Sequence, residues 1–334
     1  MNVMHAKRLR QRINTRSLCT RLAAFALAAA PLAALAADGK PIEWVVGYSA
    51  GGGSDVVART LADAMAKTLS QTIIVNNKPG AGTNIAADYT AKSKDYGHLM
   101  FTADFATLAA NPALYTKLSY NTERDFASVG MMARFPLILA VSANVPAKNL
   151  KEFLAWAKSN AGGTNYASPG AGSPHHLATE LFRERTQLTL THVPYRGAGP
   201  AVQDLIGGQV PFMFIDTASG YQYVQSGRLR AIGVASAQRV KSMSEIPTLI
   251  EQGLGGFEAY AWQGLVVPAG TPPEFVGSLG KALNAALDST AVKARFQSLG
   301  VEPIPSTPQQ MTSYVRTERE KWGQLIRANN IKLD

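Results

Sequence analysis

Gly47-Tyr48-Ser49-Ala50-Gly51-Gly52-Gly53-Ser54-Asp55 is the stretch of this 334-residue chain whose residue types and spacing carry the most chemistry. Ile42, Trp44, Val45 and Val46 precede it and read as a short buried strand. Behind it Val57, Leu61, Met65 and Leu69 recur every fourth residue, as expected of a helix with one apolar face. Ser54 or Asp55 is the natural N-cap. A strand that ends in glycines and turns into a helix aims free N–H groups and the positive end of the helix dipole at one point, a seat for an anion. No Lys-Ser/Thr follows the glycines, which argues against a nucleoside-triphosphate loop, and the spacing of a dinucleotide turn is missing. The same residues also spell G-x-S-x-G, the nucleophile elbow of a serine esterase, with Ser49 as nucleophile and Asp104 or Asp216 and His192 as partners. Against that reading, the elbow follows the first strand after the leader, so no upstream strands remain to build a hydrolase sheet. The plainest alternative is a tight turn that needs φ > 0.

Small-residue turns between a strand and a helix recur along the chain. Thr72 to Asn77 reads as a strand, followed by Lys78-Pro79-Gly80-Ala81-Gly82-Thr83-Asn84 and a helix from Ile85 to Lys92. His98 to Thr102 is a third strand, and Ala127 to Val141 reads as two strands around Phe135-Pro136. The pattern restarts near Pro146 with an amphipathic helix from Asn149 to Asn160 and a strand from Thr164 to Ser168. Pro169 to Pro174 then turns into a helix from His175 to Thr186. Leu188 to Val193, a turn through Tyr195 and Arg196, a helix ending at Ile206, and a strand ending at Asp216 follow. Ala259 to Val267 is a late strand, and helices fill most of Glu274 to Ala328. Strands alternating with helices predict a parallel-rich α/β protein. The helical tail is expected on the first lobe, which makes that lobe discontinuous: residues 38–138 plus 261–334, with 139–260 as the second lobe. Two crossings between lobes, near 138 and 260, make a hinge.

The first 36 residues read as a cleaved secretory leader: a basic segment without acids, an Ala/Leu-rich run from Leu22 to Leu35, and an A-x-A-like site ending at Ala36. This expects a periplasmic protein. Removing six of the 33 basic residues and none of the 23 acidic ones lowers the net charge from +10 to +4. No basic run interleaved with aromatics remains, which argues against a nucleic-acid partner. Cys19, the only cysteine, lies in the leader, so no thiol, disulfide or thiolate metal site is expected in the processed chain. The adjacent His175 and His176 diverge by about 100° on a helix, and neither has a ligand partner four residues on, so no metal or cofactor is expected.

The chain resembles the extracytoplasmic solute receptors of the tripartite tricarboxylate transporters, the Bug-type binding proteins, over nearly all of its processed length. The resemblance rests on AGGGSDVVAR (50–59), NKPGAGTNIAA (77–87), NPALY (111–115), NYASPGAGSPHHLATELF (165–182), HVPYRGAGPAVQDLIGGQV (192–210), GRLRAIGVASAQR (227–239), PAGTP (268–272) and KWG (321–323). It implies a type II periplasmic-binding-protein fold, two α/β lobes closing over a small carboxylate held by backbone amides, hydroxyls and waters. It also implies delivery to a membrane permease by a monomeric receptor, or a sensing role for the same fold. Position by position, Tyr48, Ser49, Ala50, Gly51, Gly52 and Asp55 would form the first-lobe anion loop, beside Thr83 and Asn84. Ser168, Gly172, Ser173 and His176 would form the second-lobe turn, with Tyr195 and Asp216 lining the cleft. Asp55 and Asp216 also suit helix caps, His176 a packing role and Arg196 a surface pair. Where the family usually has phenylalanine and proline around the first loop, this chain has Tyr48 and Ser49, and its third strand is preceded by Asp95-Tyr96-Gly97-His98. Asp104 stands where small or hydroxyl residues are common: facing the cleft it would favour a ligand with a donor group, and otherwise it caps the next helix.

Overall fold

The computed structural model describes residues 39–160 and 162–334, so the leader and its cleavage site lie outside the described residues. Ile42–Val46 forms β1, whose apolar run is buried on both faces, as a central parallel strand requires. The glycine loop leads into α1 (Gly53–Leu69), which lays Val57, Leu61 and Met65 on the sheet. Its N-cap is Gly52, not Ser54 or Asp55. The Asp55 carboxylate instead reaches back to the Gly51 N–H at 2.9 Å, so it organises the loop from inside the first turn. β2 (Ile73–Asn77), α2 (Asn84–Ala91) and β3 (Leu99–Asp104) follow, with β2 and β3 parallel to β1 on either side. A helical stretch at 106–110 then runs into the short α3 (Asn111–Leu114), where Pro112 sits in the first turn.

β4 (Phe126–Ser142) joins the two halves. It is one 17-residue strand, not two strands around Phe135-Pro136. Pro136 is tolerated because its neighbours change there: residues 126–136 pair with β9 (Tyr260–Pro268), and residues from Leu137 onward pair with two other strands. Those partners are β7 (Phe212–Asp216) and β8 (Leu229–Val234). Between β4 and β8 come α4 (Leu150–Ser159), β5 (Thr164–Ser168), α5 (Pro174–Thr186), β6 (Leu190–Pro194), α6 (Ala198–Ile206) and α7 (Thr217–Gln225). The strand order is β2-β1-β3-β9-β4-β7-β5-β6, with β8 and the two-residue β10 (Glu302–Pro303) also on β4. The return passage lies beside the outward one: Ala235 N–H bonds Leu137 O at 2.7 Å and Ala259 N–H bonds Ala235 O at 3.0 Å.

α8 (Pro273–Asp288), α9 (Thr290–Ser298) and α10 (Pro308–Ala328) complete the chain. α10 opens with a capping box between Thr307 and Gln310 and packs its aromatic residues on the first sheet. The Trp322 ring lies 5.3 Å from Phe105, and Tyr314 lies 5.4 Å from Trp262. Trp322, Phe105 and Trp262 are each about 1% exposed, and a fully buried aromatic contributes about 2–3 kcal/mol of hydrophobic stabilisation. Near its end Asn329 accepts from Arg183 of α5 at 2.8 Å, so the tail also holds the other half. Among the described residues no helix is long and apolar enough to cross a membrane.

Candidate ligand-binding site

The loop after β1 is where strand and helix leave polar groups unclaimed. Ser49, Ala50, Gly51 and Gly52 are exposed, and Gly51 takes φ +82°, a conformation that favours glycine. The first main-chain helical bond runs from Val56 N–H to Gly52 O at 3.0 Å, so the amides of Gly53, Ser54 and Asp55 have no helical acceptor. Asp55 is 3% exposed and accepts from Gly51 N–H, from Asn77 Nδ2 at 2.9 Å and from Arg59 Nε at 3.0 Å. Burial alone would raise its pKa, but these donors outweigh burial and hold the carboxyl below its ordinary range. Its role in the geometry is to set the loop. Gln263 of β9, which nothing in the sequence singles out, donates to the Ser54 hydroxyl from beneath.

Tyr48, Thr83 and Asp104 form one network under the loop. The Tyr48 hydroxyl donates to Asp104 Oδ2, while Asp104 Oδ1 accepts from the Thr107 N–H and hydroxyl, each at 3.0 Å. Thr107 Oγ1 in turn lies 2.7 Å from Thr83 Oγ1. A side chain at Gly47 would meet Thr83 Cβ at 2.9 Å, so this glycine is required by close approach. Asp104 is thus bonded to its own neighbours at the start of the 106–110 turn, the arrangement that the capping alternative describes. Burial raises the Asp104 pKa despite those bonds, and burial together with Asp104 raises that of Tyr48. Asn84 Oδ1 is taken up by Asn111 Nδ2 at 2.7 Å and the Tyr120 hydroxyl at 2.9 Å.

The second turn, after β5, is built on two histidines. Gly172 N–H donates to His176 Nδ1 at 3.0 Å. Gly170 N–H donates to Ser168 Oγ at 3.1 Å, and Ser168 Oγ lies 2.6 Å from His192 Nε2. The imidazoles of His176 and His192 stack at 4.0 Å, and the Tyr166 ring lies near-parallel to both, 4.9 Å from His192 and 6.3 Å from His176. Ser173 caps α5, accepting from His176 N–H at 3.2 Å. The amide of Gly172, a residue expected at the ligand, and that of its neighbour Gly170 therefore point into the turn. Tyr195 gives its hydroxyl to Asp204 Oδ2 at 2.7 Å, and Arg196 is exposed. Asp216 caps α7 through Ser219 N–H at 2.8 Å and lies 3.1 Å from His175 Nε2. Burial works against the Asp216 anion, but the hydrogen bond and charge of His175 hold its pKa down. His192 entered the sequence reading only as an esterase residue; its spacing from Ser168 shows nothing until β5 and β6 pair in parallel.

The two groups come together at two points. A methyl placed on Gly53 would lie 3.6 Å from Ala218 Cβ, so the N-termini of α1 and α7 face each other across the halves. A methyl on Gly172 would lie 2.6 Å from Leu114 Cδ1, and α3 is tied to the 81–84 turn through Asn111 Nδ2 and Gly82 O at 2.7 Å. The esterase constellation is not assembled. His192 contacts Ser168, Asp216 contacts His175, and Asp104 contacts Tyr48 and Thr107. Among the described residues no group of three His, Cys, Asp or Glu side chains is placed to hold a metal ion.

The histidine stack carries a pH prediction. Burial, with His192 and Arg183 nearby, lowers the His176 pKa to about 3, and burial lowers that of His192 to about 4 against the opposing charge of Glu180. An unfolded histidine takes up its proton near pH 6.5, so between that pH and about 4 the unfolded chain binds more protons. Stability is therefore full above about pH 6.5 and declines as the pH falls toward 4. The urea midpoint is expected to drop across this window, with a shallower slope in His192→Gln. A midpoint that stays level from pH 7 to 4.5 would refute it.

An α/β chain that crosses twice between sheets and opposes helix N-termini has the build of a type II periplasmic-binding protein, two lobes around a ligand cleft. Its relatives say which kind. Residues 57–331 match the model of the tripartite tricarboxylate transporter family receptors, and the chain belongs to that family. It is 34% identical to protein BugT of Bordetella pertussis over 306 residues, 91% of this chain and 94% of that one. An R. palustris protein solved with adipate superposes with a TM-score of 0.83 at 30% identity, covering 88% of this chain and 98% of the other. MatC of Rhodopseudomonas palustris, solved with bound malate, gives 0.77 at 33% identity, covering 86% and 98%. The periplasmic binding protein BugD gives 0.80 at 32% identity, covering 88% and 99%. The family consists of periplasmic solute-binding receptors, which are not enzymes.

Proposed function

We propose that this protein captures a small carboxylate, most simply a dicarboxylate, between lobes formed by residues 38–138 plus 261–334 and by residues 139–260, and hands it to a membrane permease. The reading includes export through a leader cleaved after Ala36. One observation supports it above the rest: the unclaimed amides of Gly53, Ser54 and Asp55 open a helix whose N-terminus stands against that of α7 at Ala218. Converging N–H dipoles stabilise a carboxylate without a formal cation, and none of the candidate residues is lysine or arginine. Neutral donors suit a receptor that must release its cargo, for which micromolar affinity, about −8 kcal/mol, is sufficient. The adipate and malate found in relatives give the ligand class to try first.

The test is a thermal-shift screen of mono-, di- and tricarboxylates, amino acids and aromatic acids. A ligand that binds only the folded state raises the midpoint by mass action, about 2.7 kcal/mol at a hundredfold excess over Kd. Dicarboxylates are expected to give the largest rise. No response to any carboxylate, or a response confined to cationic amino acids, would overturn the proposal.

A further inference from the structure

Where the chain passes between its two sheets, a cavity of about 640 Å³ opens that shares no residue with the site above. One wall is the 236–242 segment that follows β8, another is α9 with the 300–303 segment, and Arg134 of β4 and Tyr260 of β9 lie at the crossing itself. Its charge is lopsided. Arg134, Arg239, Lys241 and Lys293 line it, against Glu302 alone. Glu302 is neutralised by Arg134, whose guanidinium also lies 4.4 Å from the centre of the Tyr260 ring. Arg239 is held by Glu251 at 2.9 Å, and Lys293 by Asp288, whose side chain is 83% exposed. Lys241 has no ion pair among the described residues. Surface pairs of this kind are weak and yield readily to a better anion.

We propose that this cavity is a second anion site, selective for a small multivalent oxyanion such as phosphate or a polycarboxylate. Lys241 reaches in from the segment after β8 and Lys293 from α9, so an anion between them bridges a segment that follows β8 and a helix that precedes β10. Those parts already touch at one place: the Thr217 hydroxyl donates to Gly300 O at 2.6 Å, and a methyl on Gly300 would lie 3.2 Å from Met243 Cε. An occupant therefore biases the spacing of the lobes, and through it the affinity of the cleft, by the reciprocity of linked binding. The inference stands on the cavity alone and does not need the carboxylate reading of the cleft.

Calorimetry and thermal shift with inorganic phosphate, and in a parallel arm citrate, test it on the wild-type protein, on the double variant Lys241→Glu/Lys293→Glu and on Gly52→Asp. Lys241→Gln/Lys293→Gln, which removes charge without reversing it, guards against misfolding. The expected result is a salt-sensitive rise in midpoint with wild type, abolished in the Glu pair, weakened in the Gln pair and kept in Gly52→Asp. A response to either anion with that variant pattern supports the site and identifies its oxyanion. No binding up to about 10 mM, weaker than any useful site, overturns it. So does binding that survives the Glu pair, or binding lost in Gly52→Asp, which would move the anion to the cleft.

Discussion

Gly52→Asp is expected to weaken carboxylate binding about 100-fold while leaving the fold as stable as wild type or slightly more so. Gly52 is the N-cap of α1 with φ −77° and ψ 167°, an extended conformation that aspartate adopts without strain. A side chain there meets only Ser49 O at 3.5 Å, an ordinary contact. Aspartate is a favoured cap, and its charge at a helix N-terminus is worth about 0.3–1 kcal/mol. The same carboxylate occupies the amides that the ligand would use and repels a second anion beside it. Two unit charges about 5 Å apart at an effective dielectric near 20 cost about 3 kcal/mol. The paired readout separates site from scaffold, because titration should show the loss while urea unfolding shows none. Wild-type affinity in a well-folded variant would place the anion elsewhere.

Asp55→Ala is expected to do the opposite, damaging fold and site together. The substitution removes the shared acceptor of the Gly51 N–H, Asn77 Nδ2 and Arg59 Nε at once. Removing one partner of a largely buried, charge-assisted set costs about 3 kcal/mol. That alone should lower the urea midpoint, and release of Gly51 should also loosen the loop and weaken binding by about tenfold or more. Asp55→Asn keeps the shape and part of the bonding, so its losses should fall between. The pH dependence has a definite sign. Because the folded-state pKa of Asp55 lies below that of an unfolded aspartate, near 3.9, its stabilisation is present above that value and is lost as the pH falls through the folded pKa. An Asp55→Ala protein as stable as wild type at pH 7 would refute this role.

Much of the architecture was legible along the chain. The apolar run Ile42–Val46 and the fourfold spacing of Val57, Leu61 and Met65 are local signals, and each became the element expected. Other signals misled because their partners are remote. Pro136 reads as a strand breaker, yet it sits where β4 exchanges β9 for β7 and β8, and no ladder is interrupted. Asp55 reads as a cap, but Asn77 lies 22 residues away and becomes its neighbour only when β2 docks on β1. Asp104 could face ligand or helix, and only the fold brings Tyr48, 56 residues upstream, onto its carboxylate.

The sequence by itself determined the grammar of strand, glycine turn and helix, the family, and which loops carry unclaimed amides, because hydrophobic period and glycine placement act over a few residues. The tertiary structure alone decided which of those amides remain free. Gly172 loses its amide to His176 of α5, and Gly170 loses its own to the Ser168 hydroxyl, which lies against His192 of β6 in the same histidine stack. The physical reason is that a buried hydrogen-bonding group must find a partner wherever packing supplies one, and distance along the chain says nothing about where that is.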